Sequence, residues 1–247
     1  MRYLFEIAYK GTNYHGWQRQ LNAQTVQQVV EETLSTILRE QISIIGSGRT
    51  DTGVHCQQQF FHIETMLEIS SKDLRPINNF LPPDIAIHDI QKMTDDGHAR
   101  FSALHRKYEY RISKVKSPFQ QELSYYFHRD LNVKTMNEAA TLLLGKKDFE
   151  SFSRVKTEVN NFICDITEAH WEENDTQLTF HIRANRFLRG MVRAIVGTLL
   201  DVGLGKITPD EVESIIIAKN RKKAGAAAPA HGLFLTEVIY PSEIFIK

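Results

Sequence analysis

Rigid cross-links and membrane spans are the first things this chain does without. Of its 247 residues only Cys56 and Cys164 are cysteine, which excludes a disulfide framework or a four-cysteine metal site and fits a reducing cytoplasm. No run of about 18 apolar residues occurs. Charged Glu6 follows only Tyr3, Leu4 and Phe5, so neither a membrane span nor a secretory leader is expected. An excess of one charge is missing too. Thirty cations balance thirty anions, so a face for nucleic acid would have to be built by segregating charge locally. No Walker loop and no dinucleotide fingerprint occur. What the chain does have is 42% apolar residues, enough to fill two cores, and two linked domains are expected.

The first half reads as strand, helix, strand, strand, helix, strand. Residues 2 to 9 alternate, and residues 24 to 39 place Val26, Val29, Val30, Thr33, Leu34, Ile37 and Leu38 on one helical face. Thr25 and Gln28 are spaced as a capping box. Ile42 to Ile45 and Phe60 to Ile63 read as strands flanking a glycine-rich turn. Ser70 and Asp73 open a second helix that Pro82 and Pro83 stop before a strand at 85 to 90. This order is that of the split β-α-β, ferredoxin-like unit.

The second half repeats the order without repeating the sequence. It has an alternating strand from His105 to Ser113, a helix from about Thr135 to Leu144 stopped at Gly145, and strands near 162 to 172 and 177 to 184. A long helix from about 186 to 202, a short one opened by Thr208 and Pro209, and a last strand at 233 to 240 complete it. The expected fold is therefore α+β: two ferredoxin-like (RRM-like) β-α-β-β-α-β halves, residues 1–105 and 106–247. They would join in a wide antiparallel sheet, with helices mainly on one face and a cleft between the halves. An open sheet face carrying aromatics would be a platform for RNA, unless loops such as 114 to 133 and a partner subunit cover it.

Three groups of residues could carry chemistry. The segment Gly48-Arg49-Thr50-Asp51-Thr52-Gly53-Val54-His55 fixes one carboxylate between glycines. That is either ordinary turn chemistry or a reaction centre. Arg49 can pair with the acid and keep it ionised, or with a phosphate. In the expected helix after 185, Arg186, Arg189 and Arg193 fall at i, i+3 and i+7, with Gly190 and Gly197 continuing that face. Glycines inside a helix cost about 1 kcal/mol each, so either a phosphate or another backbone packs closely there, and the alternative is a surface helix with a basic edge. Tyr108 shares a strand face with Arg106, as a core residue or as an aromatic that stacks on a base. Lys219, Arg221, Lys222 and Lys223 precede the glycine and alanine run 224 to 228 and suggest a mobile loop able to touch phosphates.

Two other chemistries compete. Asp51-Thr52-Gly53 matches the aspartic-protease triplet, but those enzymes need two carboxylates sharing a proton, and a neighbouring arginine opposes that state. Ten histidines raise the question of a metal. His55 and His62 stand seven apart on one expected strand, hence on opposite faces, with no carboxylate or cysteine suitably spaced, and no metal is expected.

Five ordered motifs resemble the TruA family of tRNA pseudouridine synthases over nearly the whole chain. They are Gly11-Thr12-Asn13-Tyr14-His15-Gly16-Trp17-Gln18-Arg19-Gln20, Gly48 to His55, and His98-Ala99-Arg100-Phe101-Ser102-Ala103 running into Lys107-Tyr108-Glu109-Tyr110. The fourth is Phe187-Leu188-Arg189-Gly190-Met191-Val192-Arg193 with Ile195-Val196-Gly197, and the fifth Ala228-Pro229-Ala230-His231-Gly232-Leu233. The resemblance implies a cofactor-free isomerase of uridines at positions 38, 39 and 40 in the anticodon stem-loop of tRNA, acting as a homodimer. It makes Asp51 the catalytic nucleophile or base, Arg49 a residue of the cleft, Tyr108 the stacking residue, Arg193 the partner of the acid and Leu233 an apolar wall. Arg186, Arg189, Lys219, Arg221 and Lys222 are the candidates for holding phosphates. Thr52 stands where the family usually has alanine, and Cys164-Asp165 where it often has an arginine. The competing class is a catalytically inert RNA-binding module, which explains the basic residues but not a carboxylate among them.

Overall fold

Alternating apolar residues at the start of the chain form strand β1 (Arg2–Tyr9), with Leu4, Phe5, Ile7 and Tyr9 buried. The computed structural model describes residues 1–155 and 161–246. After β1 come α1 (Val26–Leu38), β2 (Ile45–Gly46), β3 (His55–Glu64), α2 (Leu74–Phe80) and β4 (Ile85–Met93). The chain continues through β5 (His105–Ser113), β6 (Tyr125–Tyr126), α3 (Val133–Thr141), β7 (Gly145–Asp148), β8 (Ile163–Glu173) and β9 (Gln177–Ala184). It ends with α4 (Met191–Gly203), α5 (Pro209–Ile217) and β10 (Leu233–Ile239). Internal contacts divide it into two units, residues 1–105 together with the segment from Phe234, and residues 106–233.

In the first unit β4, β1 and β3 form an antiparallel sheet. The other edge of β3 is shared. Short β2 pairs at one end through Ile45 and His62, and β10 runs parallel at the other through Phe234 with His55 and Leu235 with Cys56. The last strand, expected to complete the second half, thus adds to the first unit. Tyr240 sets its ring edge-on to Phe60 at 5.2 Å, and Ile244 joins a cluster with Leu4, Met93 and Ala99. Val26, Val30 and Leu34 on α1 are buried, each large apolar side chain contributing roughly 1.5–3 kcal/mol. The Thr25 hydroxyl accepts from the Gln28 N–H, but the Gln28 side chain turns to Glu32, so the expected capping box forms by half. Ser70 and Asp73 do cap each other reciprocally ahead of α2.

In the second unit the antiparallel order is β5-β9-β8-β7, with β6 parallel to β5. Tyr110, Ile112, Trp171, Phe180 and Ile182 fill the buried face, against which α3 packs with Met136, Ala139 and Ala140. Asn132 caps α3 by accepting from the Thr135 N–H, which starts the helix two residues earlier than expected. The opposite sheet face carries ion pairs beside the stacked imidazoles of His170 and His181. There Lys107 pairs with Glu168 at 2.9 Å and Arg111 with Glu109 at 2.8 Å.

His62 in β3 ties this architecture to pH. Its buried ring accepts the Ala99 N–H at Nδ1 and lies 4.9 Å edge-on from His98. Burial, with the nearby His98 and Arg2 charges, holds its pKa down at about 4. The neutral form is the one the fold favours, so its contribution is full above the unfolded value near 6.5 and is lost as pH falls toward 4. Unfolding measured between pH 6.5 and 4 should lose roughly 3 kcal/mol from this group. His62→Gln should flatten that slope, and an unchanged slope would remove His62 as its source.

Candidate active site

Asp51 sits half-buried in a turn held from both sides. The Trp17 N–H donates to the Thr50 carbonyl and the Gly53 N–H to the Tyr14 carbonyl, each at 3.3 Å, which laces the turn to segment 14–17. The Val54 N–H closes it on the Asp51 carbonyl at 3.1 Å, with Gly53 at φ 76°. Behind it the buried Tyr9 hydroxyl bonds the Thr50 hydroxyl at 2.8 Å and the Gln59 amide oxygen at 3.0 Å. Gln59 in turn donates to the Gly48 carbonyl at 3.3 Å. Gly16 is required where these segments meet, because its φ is 86° and a Cβ there would lie 2.4 Å from the Thr50 oxygen.

These contacts give the Gly11 to Gln20 motif its role. Its aromatic residues are scaffold. Trp17 is buried between Tyr9 and Phe61, and the Tyr14 hydroxyl donates to Asp84 at 2.5 Å, with burial as the first cause and that carboxylate as the second pushing the phenol up. Arg49, two residues before the acid, is exposed. The two histidines weighed as metal ligands are both engaged. His55 accepts the Gly11 N–H at 3.0 Å and stacks on Phe234 at 4.7 Å, and His62 accepts from Ala99.

In the second unit Tyr108 is half-buried on β5, its ring edge-on to Phe187 at 5.1 Å. Sequence reading did not single out Phe187, although it opens the fourth motif. The expected helical face of Arg186, Arg189 and Arg193 does not form. Gly190, at φ 71°, turns the chain directly before α4, so Arg186 and Arg189 lie outside the helix and only Arg193 is on it.

Arg193 anchors the segment that leads to Leu233. Its Nε donates to the Ala228 carbonyl at 2.6 Å, while its own carbonyl accepts the Ala228 N–H at 2.9 Å. The Tyr110 hydroxyl donates to the Pro229 carbonyl at 2.8 Å. Leu233 follows as a buried residue. The run 224 to 228, read from sequence as a mobile loop, is packed on α4. The Gly225 N–H donates to the Thr198 hydroxyl at 2.9 Å, and Arg221 donates to the Ala224 and Gly225 carbonyls. Lys219 pairs with Asp148 at 2.7 Å, which raises the lysine's pKa, whereas Lys222 is exposed.

An α+β chain that fixes a carboxylate in a turn, sets a half-buried tyrosine against Phe187 and anchors a segment through an arginine has the makings of an enzyme acting on a nucleobase. A profile of tRNA pseudouridine synthases matches residues 7–102 and 139–241, and the chain belongs to that family. It is 45% identical over 250 residues to tRNA pseudouridine synthase A of Bacteroides thetaiotaomicron, covering 99% of this chain and 92% of that one. The protein of the same name from Bacteroides fragilis is 45% identical over 247 residues, with 99% and 98% covered. That of Bacillus subtilis is 42% identical over 245 residues, with 97% and 99% covered.

Gly197 offers a test of how tightly the 224–228 segment is held. A Cβ there would lie 1.7 Å from the Ala226 oxygen. Glycine to alanine in a free helix would stabilise by about 1 kcal/mol. Here Gly197→Ala should instead destabilise by roughly 1–3 kcal/mol, read as a lower denaturant midpoint. A raised midpoint would contradict the close approach.

Proposed function

We propose that the protein isomerises uridine to pseudouridine in the anticodon stem-loop of tRNA, without a cofactor, with Asp51 as the catalytic nucleophile or base. The observation that carries this reading is the half-buried carboxylate in a turn laced to segment 14–17 and backed by Tyr9. A turn serving only as a connection has no need of that support. The family supplies the reaction, and relatives named tRNA pseudouridine synthase A span nearly the whole chain.

The reaction breaks the bond from uracil N1 to ribose C1′, turns the base, and joins C5 to C1′. The C5 proton leaves and N1 takes one up, so no atoms are gained. A carboxylate at the ribose can act as nucleophile or base, and Asp51 is assigned that place. Tyr108 supplies a flat surface that holds the detached base while leaving its rotation free. Arg193 is assigned to Asp51 as ion-pair partner, Leu233 to the apolar wall, and Arg49 to the cleft. Excluding water keeps the detached base from being lost.

The target nucleotide has to leave its stack, which costs a few kcal/mol that phosphate contacts must offset. Arg186, Arg189 and Lys222 are the candidates. Lys219 and Arg221 hold partners within the protein and offer less. A homodimer in the cytoplasm completes the proposal, with one tRNA spanning both subunits.

Asp51→Asn keeps the shape of the side chain and removes its charge. Pseudouridine formation on bulk tRNA should fall by more than about 1000-fold, with tRNA affinity retained. Substantial turnover in the variant would sink the assignment. An absence of pseudouridine with the unaltered protein would leave an RNA-binding module instead.

A further inference from the structure

A row of donor side chains crosses the ionic sheet face of the second unit, on the side of β5 opposite Tyr108. Glu109 on β5, His181 on β9 and His170 on β8 are direct cross-strand partners. Glu172 lies two residues beyond His170, hence on the same face. We propose that His170, Glu172 and His181 bind one divalent metal ion of the zinc type.

The distances fit. His170 Nε2 is 3.3 Å from Glu172 Oε1, and His181 Nε2 is 3.4 Å from Glu172 Oε2. One donor atom from each of the three residues falls within 4.8 Å of the others. Tetrahedral zinc bonds of about 2.0–2.1 Å place neighbouring donors about 3.3 Å apart. The ion can therefore enter with small side-chain adjustments. Two imidazoles with one carboxylate favour zinc over magnesium or calcium, which take oxygen ligands. Solvent water fills the remaining position, since Glu172 is exposed.

Two further observations point the same way. Neither ring nitrogen of His181 makes a well-aligned hydrogen bond among the described residues, although both are buried and carboxylate oxygens lie 3.4 Å from Nε2 and 3.7 Å from Nδ1. A buried imidazole so placed is expensive unless something bonds it, and a metal at Nε2 would. Each histidine also turns its other nitrogen toward a carboxylate, His181 Nδ1 to Glu109 and His170 Nδ1 to Glu168, both at 3.7 Å. That is the outer arrangement that fixes metal-binding imidazoles. Cations nearby do not outweigh the donors. Lys107 and Arg183 share Glu168, at 2.9 and 3.6 Å, and Arg111 pairs with Glu109, while Glu172 has only the two histidines as ionic partners among the described residues. An ion held there clips β8 to β9.

The test is zinc titration of the full-length protein, stripped with chelator, in competition with a chromophoric indicator. Thermal midpoint and the visible bands of a cobalt derivative serve as second readouts. One zinc per chain is expected, with a saturable rise in midpoint and four-coordinate cobalt bands. Glu172→Gln alters an exposed side chain and leaves the fold intact, and it should weaken zinc by more than about 100-fold and abolish the midpoint rise. Glu109→Gln should weaken it by about 10–100-fold. His128→Ala, remote in sequence and exposed, should change nothing. Zinc binding equal in Glu172→Gln and the parent protein, or no stoichiometric binding, would overturn the proposal and leave the three residues as a polar cluster.

Discussion

The hydroxyl of Tyr9 is the contact on which the acid turn depends. It reaches Thr50 and Gln59 at once, and Gln59 passes the constraint to Gly48. Asp51 thereby follows directly on a stretch held at Gly48 and Thr50. Buried hydrogen bonds of this kind contribute only about 1 kcal/mol each to stability, yet losing one partner leaves the others unsatisfied in a dry place. Their effect is to hold geometry. For a reaction at a sugar carbon that matters, because a displacement of about 1 Å can cost 100-fold in rate.

The second unit uses the same device in a different form. There the close approach of two backbones at Gly197 brings segment 224–228 onto α4, and Arg193 grips Ala228 through both its side chain and its carbonyl. The segment leading into Leu233 is fixed without regular secondary structure. Tyr108, by contrast, is set by the register of β5 on β9, where it faces Ile182, and by the edge of Phe187. Asp51, Tyr108 and Arg193 are each held by a local constraint, while much of the ionic surface is engaged in pairs of its own.

Much of this was legible in the sequence. The glycine-flanked acid, the alternation of β5 and the reciprocal cap at Ser70 and Asp73 are local features, and each reads directly from residue type and spacing. The glycines of the fourth motif also signalled a close approach, and the visitor proved to be a backbone of the same unit. What failed was one local backbone choice and the long-range pairings. Gly190 taking a positive φ moved Arg186 and Arg189 off the helix, because a left-handed glycine and a helical glycine look alike in a pattern. The last strand went to the first unit because pairing partners are chosen by shape across more than 170 residues. The trio of His170, Glu172 and His181 escaped because it exists only through the β8–β9 register. Asn174 sets that register by accepting the Thr176 and Gln177 N–H groups in the connecting turn.

The most direct measurement is tritium release from tRNA labelled at C5 of uridine, comparing the parent protein with Tyr9→Phe. That variant retains Asp51 and every charged group and removes only the hydroxyl behind the turn. Release should slow by at least about tenfold, with tRNA binding retained. Release at the parental rate would contradict the claim that this contact positions the acid.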